Sequence, residues 1–135
     1  MLRSFFPILL CVALAGTATS QDGSGTIQGV ISQQIDAFEN DDLERAFSFA
    51  SPTIRRLFGS SGNFGQMVKQ GYPMVWRPSD VRFASVEERG GRSYQVVVIR
   101  DGAGRFHALE YEMLPLADGW KINGVRFVPL PDIGA

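Results

Sequence analysis

The sequence predicts an α+β fold: N-terminal helices packed on the concave face of a bent antiparallel sheet of about four strands. Two observations carry this reading. From Ile27 to Val68 apolar residues recur at spacings of three and four, and the run is broken repeatedly by caps and stops. From Val81 onward the spacing becomes two, and glycine-containing turns separate the runs at hairpin intervals.

The first helix begins at Thr26, which can cap it, and shows Ile27, Ile31, Ile35 and Phe38 on one face. Val30 lies beside them, and Gln28, Gln33, Gln34 and Glu39 take the other side. Gly29 inside this helix costs about 1 kcal/mol against Ala, which suits a position where another segment approaches closely. Asn40-Asp41-Asp42 ends the pattern and supplies N-caps for a second helix with Leu43, Ala46, Phe47 and Ala50 on one face. Ser51-Pro52 ends that helix and opens a third, because proline is favoured at the first helical position and excluded from the interior. Ile54, Leu57 and Phe58 form its buried face and Gly59 closes it. Ser60 to Asn63 reads as a turn with Asn63 as cap. Phe64, Met67 and Val68 then mark a fourth helix stopped at Gly71, with Tyr72-Pro73 after the stop.

Met74 to Arg77 is read as a short extra strand ahead of the main sheet. Val81 to Arg89 alternates and meets Gly90-Gly91, the glycine pair of a two-residue hairpin. Arg92 to Arg100 follows, then the turn Asp101 to Gly104, the strand Arg105 to Leu114, the turn Ala117 to Gly119 and the strand Trp120 to Val128. A bulge is expected at Asn123-Gly124.

The chain has 135 residues, 44% hydrophobic and 20% charged, which is one ordinary globular domain. Its formal net charge is -1, and its thirteen basic residues are spread along the chain. That balance gives no support for a nucleic-acid partner or a polybasic membrane contact. Residues 1–20 read as a signal peptide: Arg3 near the start, the apolar run Phe5 to Ala15, then small residues to Ser20. Ala18 and Ser20 suit a cut before Gln21, and cuts after Ala15 or Ala18 are alternatives. The apolar run is shorter than the roughly 20 residues of a spanning helix, so an uncleaved anchor is the second reading. The lone Cys11 is preceded by Leu10, where lipidation would want a small residue. After cleavage, residues 21–135 form a single domain without cysteine, in the periplasm or outside the cell. No stable membrane insertion is then expected.

The segments AFENDDLERAFSFASPTIRRLF, NFGQMVKQGYPMV and DGWKINGV resemble an uncharacterised bacterial family, domain of unknown function 4864, over about Ile27 to Val128. The resemblance implies the nuclear-transport-factor-2-like, or SnoaL-like, fold. This is a cone of helices wrapped by a bent sheet, with a cavity between them. It brings no activity, because that fold hosts isomerases, dehydratases, ligand carriers and interaction modules alike.

Alternation places His107, Leu109, Tyr111 and Met113 on one face of the third strand and Phe106, Ala108, Glu110, Glu112 and Leu114 on the other. The acidic pair belongs in water, so His107 and Tyr111 should face the helices. His107 is the natural general acid or base. Asp36, bordering the apolar face of the first helix, is a second candidate base. The competing readings are a polar residue at a strand end and a solvated helix aspartate. Tyr72 sits where helices hand over to sheet, and Tyr72 and Trp76 are candidates to line a pocket with His107 and Tyr111.

No motif for zinc, nucleotide, phosphate or a nucleophilic serine is present, and no metal or cofactor is expected. The expectation is a non-enzymatic binding module for a small apolar ligand or an envelope partner. The alternative is a small proton-transfer enzyme, of isomerase or dehydratase type, using His107 with Asp36 or Tyr111. A homodimer through the sheet face is a further possibility.

Overall fold

The computed structural model describes residues 23–131. The expected signal peptide, 1–20, lies outside the described residues. Helices come first and a four-stranded antiparallel sheet follows, in the order β1-β2-β3-β4, so the α+β expectation holds.

Helix α1 runs Ile27–Glu39, and Thr26 caps it by accepting from the Gly29 amide at 3.0 Å. Its buried side holds Val30, Ile31, Ile35, Ala37 and Phe38. A Cβ at Gly29 would lie 1.7 Å from the Gly23 carbonyl oxygen, so the close approach anticipated there is made by the 23–25 turn. Gln34 corrects the expected polar side. It is 3% exposed and donates through Nε2 to the Ala46 carbonyl at 3.1 Å, so a polar side chain joins α1 to the next helix. Asp41 adopts φ 54°, and its carboxylate takes a 2.7 Å ion pair from Arg77. Arg77 also donates to the Phe38 carbonyl at 2.7 Å, an oxygen at the end of α1 that accepts from the Asp41 amide as well, at 3.0 Å.

Helix α2, Leu43–Ser48, is capped by Asp42. It ends before Ala50, which instead forms a parallel bridge with Ile122. Helix α3, Pro52–Phe58, is capped by Ser51 and closed by Gly59 at φ 77°. Its expected buried face is only half realised. Ile54 and Phe58 are partly buried against the core, whereas Leu57 is 72% exposed. Helix α4, Ser61–Gly71, starts earlier than expected because Ser60, not Asn63, is its cap. Asn63 instead donates to the Phe58 carbonyl at the end of α3.

The expected extra strand at Met74 to Arg77 is a helical turn, α5, Pro73–Trp76. Pro73 fixes its first residue, and the Tyr72 carbonyl accepts from both Val75 and Trp76. Met74 and Val75 are buried there.

Strands β1 (Asp80–Arg89) and β2 (Arg92–Arg100) meet at Gly90 and Gly91, both at positive φ as a two-residue type I′ turn requires. Strands β3 (Phe106–Leu116) and β4 (Gly119–Val128) complete the sheet. Two bulges interrupt the ladders. Glu112 pairs with Gly124 but Met113 with Ile122, leaving Asn123 as the extra residue where a bulge was expected. The other puts Ala84 and Ser85 opposite Val96 alone. Gln95, 1% exposed, lies with its Nε2 3.2 Å from each of the Ala84 and Ser85 carbonyls. Bulges bend the strands that carry them, which curves the sheet around the helices.

The inner face supplies Val97, Ile99, Leu109, Tyr111, Met113 and Ile122 to the core, against Ile31, Phe38, Phe64 and Val75. Phe38 lies 5.9 Å from Phe64 and 5.6 Å from Trp76 by ring centroid, and Phe64 also meets Phe47 and Phe58. On the outer face the acidic pair is less wet than alternation suggests. Glu110 is only 8% exposed, under Arg89 at 3.1 Å and Arg126 at 2.9 Å. Glu112 accepts from Arg92, Tyr94 and Asn123. Long arginine side chains reach across neighbouring strands and cover what would otherwise be solvated carboxylates.

Two outcomes follow from these placements. Gln95→Leu leaves the carbonyls of the Ala84–Ser85 bulge without that donor, so urea melts should show a loss of about 1–3 kcal/mol. Burial alone would raise the Glu112 carboxyl, but hydrogen bonds from Arg92, Asn123 and Tyr94 outweigh it and hold the group below its ordinary value of 4.5. The stabilisation it contributes is therefore complete above that ordinary value and is lost as pH falls through the lower, folded one. Acid titration of stability should fall less steeply in Glu112→Gln than in the wild type.

Candidate functional site

A cavity of about 220 Å³ lies between the helices and the inner face of the sheet. Phe38, Phe64, Met67 and Val68 wall it from α1 and α4, and Ile54, Leu57 and Phe58 from α3. Tyr111, Ile122, Gly124 and Val125 form its sheet side, and Gln34, Ala50, Tyr72 and Val75 complete the lining. Its volume sits just below the ~300–1,000 Å³ typical of drug-sized ligand sites, so it suits a compact molecule. None of its lining residues is charged.

The sequence explains why the space is there. Helices of six and seven residues, α2 and α3, cannot cover a strand of ten or eleven completely. The segment between them is held at the β4 edge. Ser51 N donates to the Ile122 carbonyl at 2.8 Å, and Ile122 N donates to the Phe49 carbonyl at 2.9 Å. This fixes the start of α3 beside β4, while α4 packs on α2 and α3, and the hollow lies between them.

Two tyrosines border the hollow and differ in their hydrogen bonding. Tyr72 donates its hydroxyl to the Val125 carbonyl at 3.1 Å, and its ring stacks on the half-exposed Phe127 at 5.3 Å and 11°. The Tyr111 hydroxyl is buried and has no hydrogen-bond partner among the described residues. Burial, and secondarily the neighbouring Tyr72, push it well above the ordinary tyrosine value. It therefore stays a neutral phenol, able to donate.

The other sequence-derived candidates lie elsewhere. His107 Nε2 is 2.8 Å from Asp101 Oδ2, at the β2–β3 end of the sheet, and does not line the cavity. Asp101 also accepts from the Ala103 and Arg105 amides. The His107 contact, followed by these amides, holds its carboxyl below the ordinary range. This pair closes the turn between two strands. Asp36 is exposed and paired with Arg45 at 3.1 Å. Trp76 lies outside the lining, covered on its faces by Phe38 and by Arg77 at 4.8 Å. The structure thus brings Tyr72 and Tyr111 together and does not bring His107, Asp36 or Trp76 to them. Among the described residues no group of His, Cys, Asp and Glu could hold a metal ion.

Sequence reasoning did not pair Asp101 with His107, although the signal was present. The strands flanking the turn place Arg100 opposite Phe106, so Asp101 and His107 flank one end of a short hairpin. It also missed Gln34 and the α3 wall, for which no sequence signal separates a cavity lining from a core.

A family described as a domain of unknown function (DUF4864) matches residues 20–135. No curated protein matches the chain. Among solved structures, the solution structure of a SEC-C motif containing protein from Rhodopseudomonas palustris is similar, with a TM-score of 0.58. It is 14% identical, over 78% of this chain and 81% of that one, which is a likeness of fold. No helix among the described residues is long and apolar enough to cross a membrane.

An unsatisfied buried hydroxyl adds no bond to the folded state and carries a desolvation cost. Tyr111→Phe should leave the urea midpoint unchanged or raise it. A loss of about 1 kcal/mol, the usual cost of deleting a made hydrogen bond, would show that the hydroxyl has a partner in the folded chain.

Proposed function

The chain belongs to the DUF4864 family, and we propose that it works as a binding module for a small apolar ligand held between its helices and sheet. The single observation that carries this reading is the cavity of about 220 Å³ between helices and sheet, lined without a charged residue. A concave, largely apolar site with few polar groups is the usual form of a small-molecule pocket. Tyr72 and Tyr111 are its contact residues. The finer fold identity proposed with it is the nuclear-transport-factor-2-like cone, supported by the order of helices before a bent sheet and by the cavity between the layers.

Export to the periplasm or beyond is part of the proposal. It rests on the charge, apolar run and small residues at positions 3 to 20. Proton-transfer catalysis is less well supported, because His107 and Asp36 are each engaged away from the cavity and Tyr111 alone would have to serve. An envelope partner or a second copy on the outer sheet face would meet the ion-paired lattice of Arg89, Glu110, Arg126, Arg92 and Glu112. Such a contact would be polar and salt-sensitive, unlike the broad apolar patch of a stable dimer.

Native mass spectrometry of the protein purified from its own envelope tests the proposal. The wild type should carry a small molecule that is lost in Val125→Phe, a substitution that fills the cavity from β4. Wild-type protein free of any such species, with a thermal midpoint that extraction by organic solvent and refolding leaves unchanged, would overturn it.

A further inference from the structure

Strand β1 lies at one end of the sheet, and each of its residues from Ala84 to Arg89 is exposed. The ladder fixes which backbone groups its open edge presents. The Arg100 carbonyl accepts from Ser79 N, just before β1, whereas the next residue, Asp101, donates to Arg105 on the β3 side. Backbone direction alternates along a strand, so Arg92, Tyr94, Val98 and Arg100 turn toward β1. Their partners Arg89, Glu87, Arg82 and Asp80 turn toward β2, and Val81, Phe83, Val86 and Glu88 face the open edge. The bulge at Ala84–Ser85 shifts the alternation by one residue, and its two carbonyls are already engaged by Gln95. The other edge of the sheet is partly spent: Phe49 and Ser51 bond to Ile122, and Tyr72 donates to the Val125 carbonyl.

The charges on β1 are ordered symmetrically about the bulge. On the outer face Asp80 pairs with Arg82 at 2.9 Å, and Glu87 with Arg89 at 2.6 Å. Laid antiparallel to itself, the strand is complementary. Asp80 falls opposite Arg89, Arg82 opposite Glu87, Phe83 opposite Val86, and Ala84 opposite Ser85.

We propose that the β1 edge is a two-fold interface that pairs antiparallel with β1 of a second copy, joining the two sheets into one. In this register Val81 and Phe83 bond through their backbones to the partner's Glu88 and the partner's Val86, all of them open-edge positions. On the inner side Phe83 lies beside the partner's Val86, covering a side chain that is more than half exposed in the single chain. On the outer side the partner's Arg89 meets Asp80 and the partner's Glu87 meets Arg82, so the ion pairs of the two chains interlock in a row of four charges. The two-fold repeats that row. Bulges and edge charges ordinarily turn foreign strands away. Here they admit a strand with the reverse charge order, which a second copy carries. This inference is independent of the ligand-binding reading, because no residue of β1 lines the cavity.

A single-strand edge is small beside a standard protein–protein interface, so the dimer should be weak, with a dissociation constant in the micromolar to millimolar range. Sedimentation velocity of the full chain should show monomer giving way to dimer with concentration. Amide hydrogen exchange, which needs no variant, should slow in parallel at Val81, Phe83, Val86 and Glu88 and stay constant along β4. Arg82→Glu and Glu87→Arg each set like charges opposite one another at both symmetric contacts, and each should weaken the dimer about tenfold or more. Mixing the two variants puts opposite charges across both contacts again and should recover dimer of near wild-type strength. A chain that stays monomeric up to about 1 mM overturns the proposal. So does a dimer whose protected amides lie on another surface, or one that neither charge reversal weakens. Mixed variants that associate no better than either alone overturn the register.

Discussion

The pairing of Phe49–Ser51 with Ile122 is the contact on which the arrangement of the two layers depends. Antiparallel strands close their own hydrogen bonds, and helices close theirs, so neither layer needs the other for its backbone. Here a short stretch between α2 and α3 makes backbone bonds directly to β4. The bulge at Asn123 makes room for it. Asn123 accepts from the Ser51 hydroxyl at 2.7 Å and donates to Glu112 at 2.9 Å. Ser51 in turn caps α3 through the Ile54 amide. One extra residue in β4 thereby links the cap of a helix, the edge of the sheet and the ion-paired outer face.

From that join the distribution of polarity follows. The outer face spends its charges on itself, with Arg126 on the adjacent β4 and Arg89, reaching over β2 from β1, both on Glu110, and leaves that glutamate nearly dry. The inner face is apolar and closed by aromatic contacts centred on Phe38 and Phe64. Where the short helices diverge, that closure stops at an uncharged space bordered by Tyr111, whose own hydroxyl is buried and unpaired among the described residues. A core built only for packing would gain by a phenylalanine at this position, since the hydroxyl adds a desolvation cost and no bond.

Much of the architecture was legible because it rests on period and punctuation. The inward set Leu109, Tyr111 and Met113, the caps at Thr26, Asp42 and Ser51, the glycine hairpin and the Asn123 bulge are all local signals. The errors arose where tertiary contacts decide. Met74 to Trp76 has strand-like composition, yet Pro73 and the Tyr72 carbonyl turn it into helix. Gln34 is polar by type, but its amide is needed at the Ala46 carbonyl. Leu57 fits the apolar face of α3, but that face borders a hollow, so the side chain stays largely in solvent. Tyr72 and Tyr111 were legible as pocket residues from their places in the chain. That only one of them lacks a partner depends on the Val125 carbonyl, which no pattern in the sequence locates.

Helix α3 has no fully buried residue, is only seven residues long, and ends on a glycine. A helix that short has little stability of its own, and its neighbours hold it by partial contacts. Local opening is cheapest in such segments and leaves the global fold intact. Because α3 is one wall of the cavity, local opening of this segment widens the hollow while the sheet stays folded.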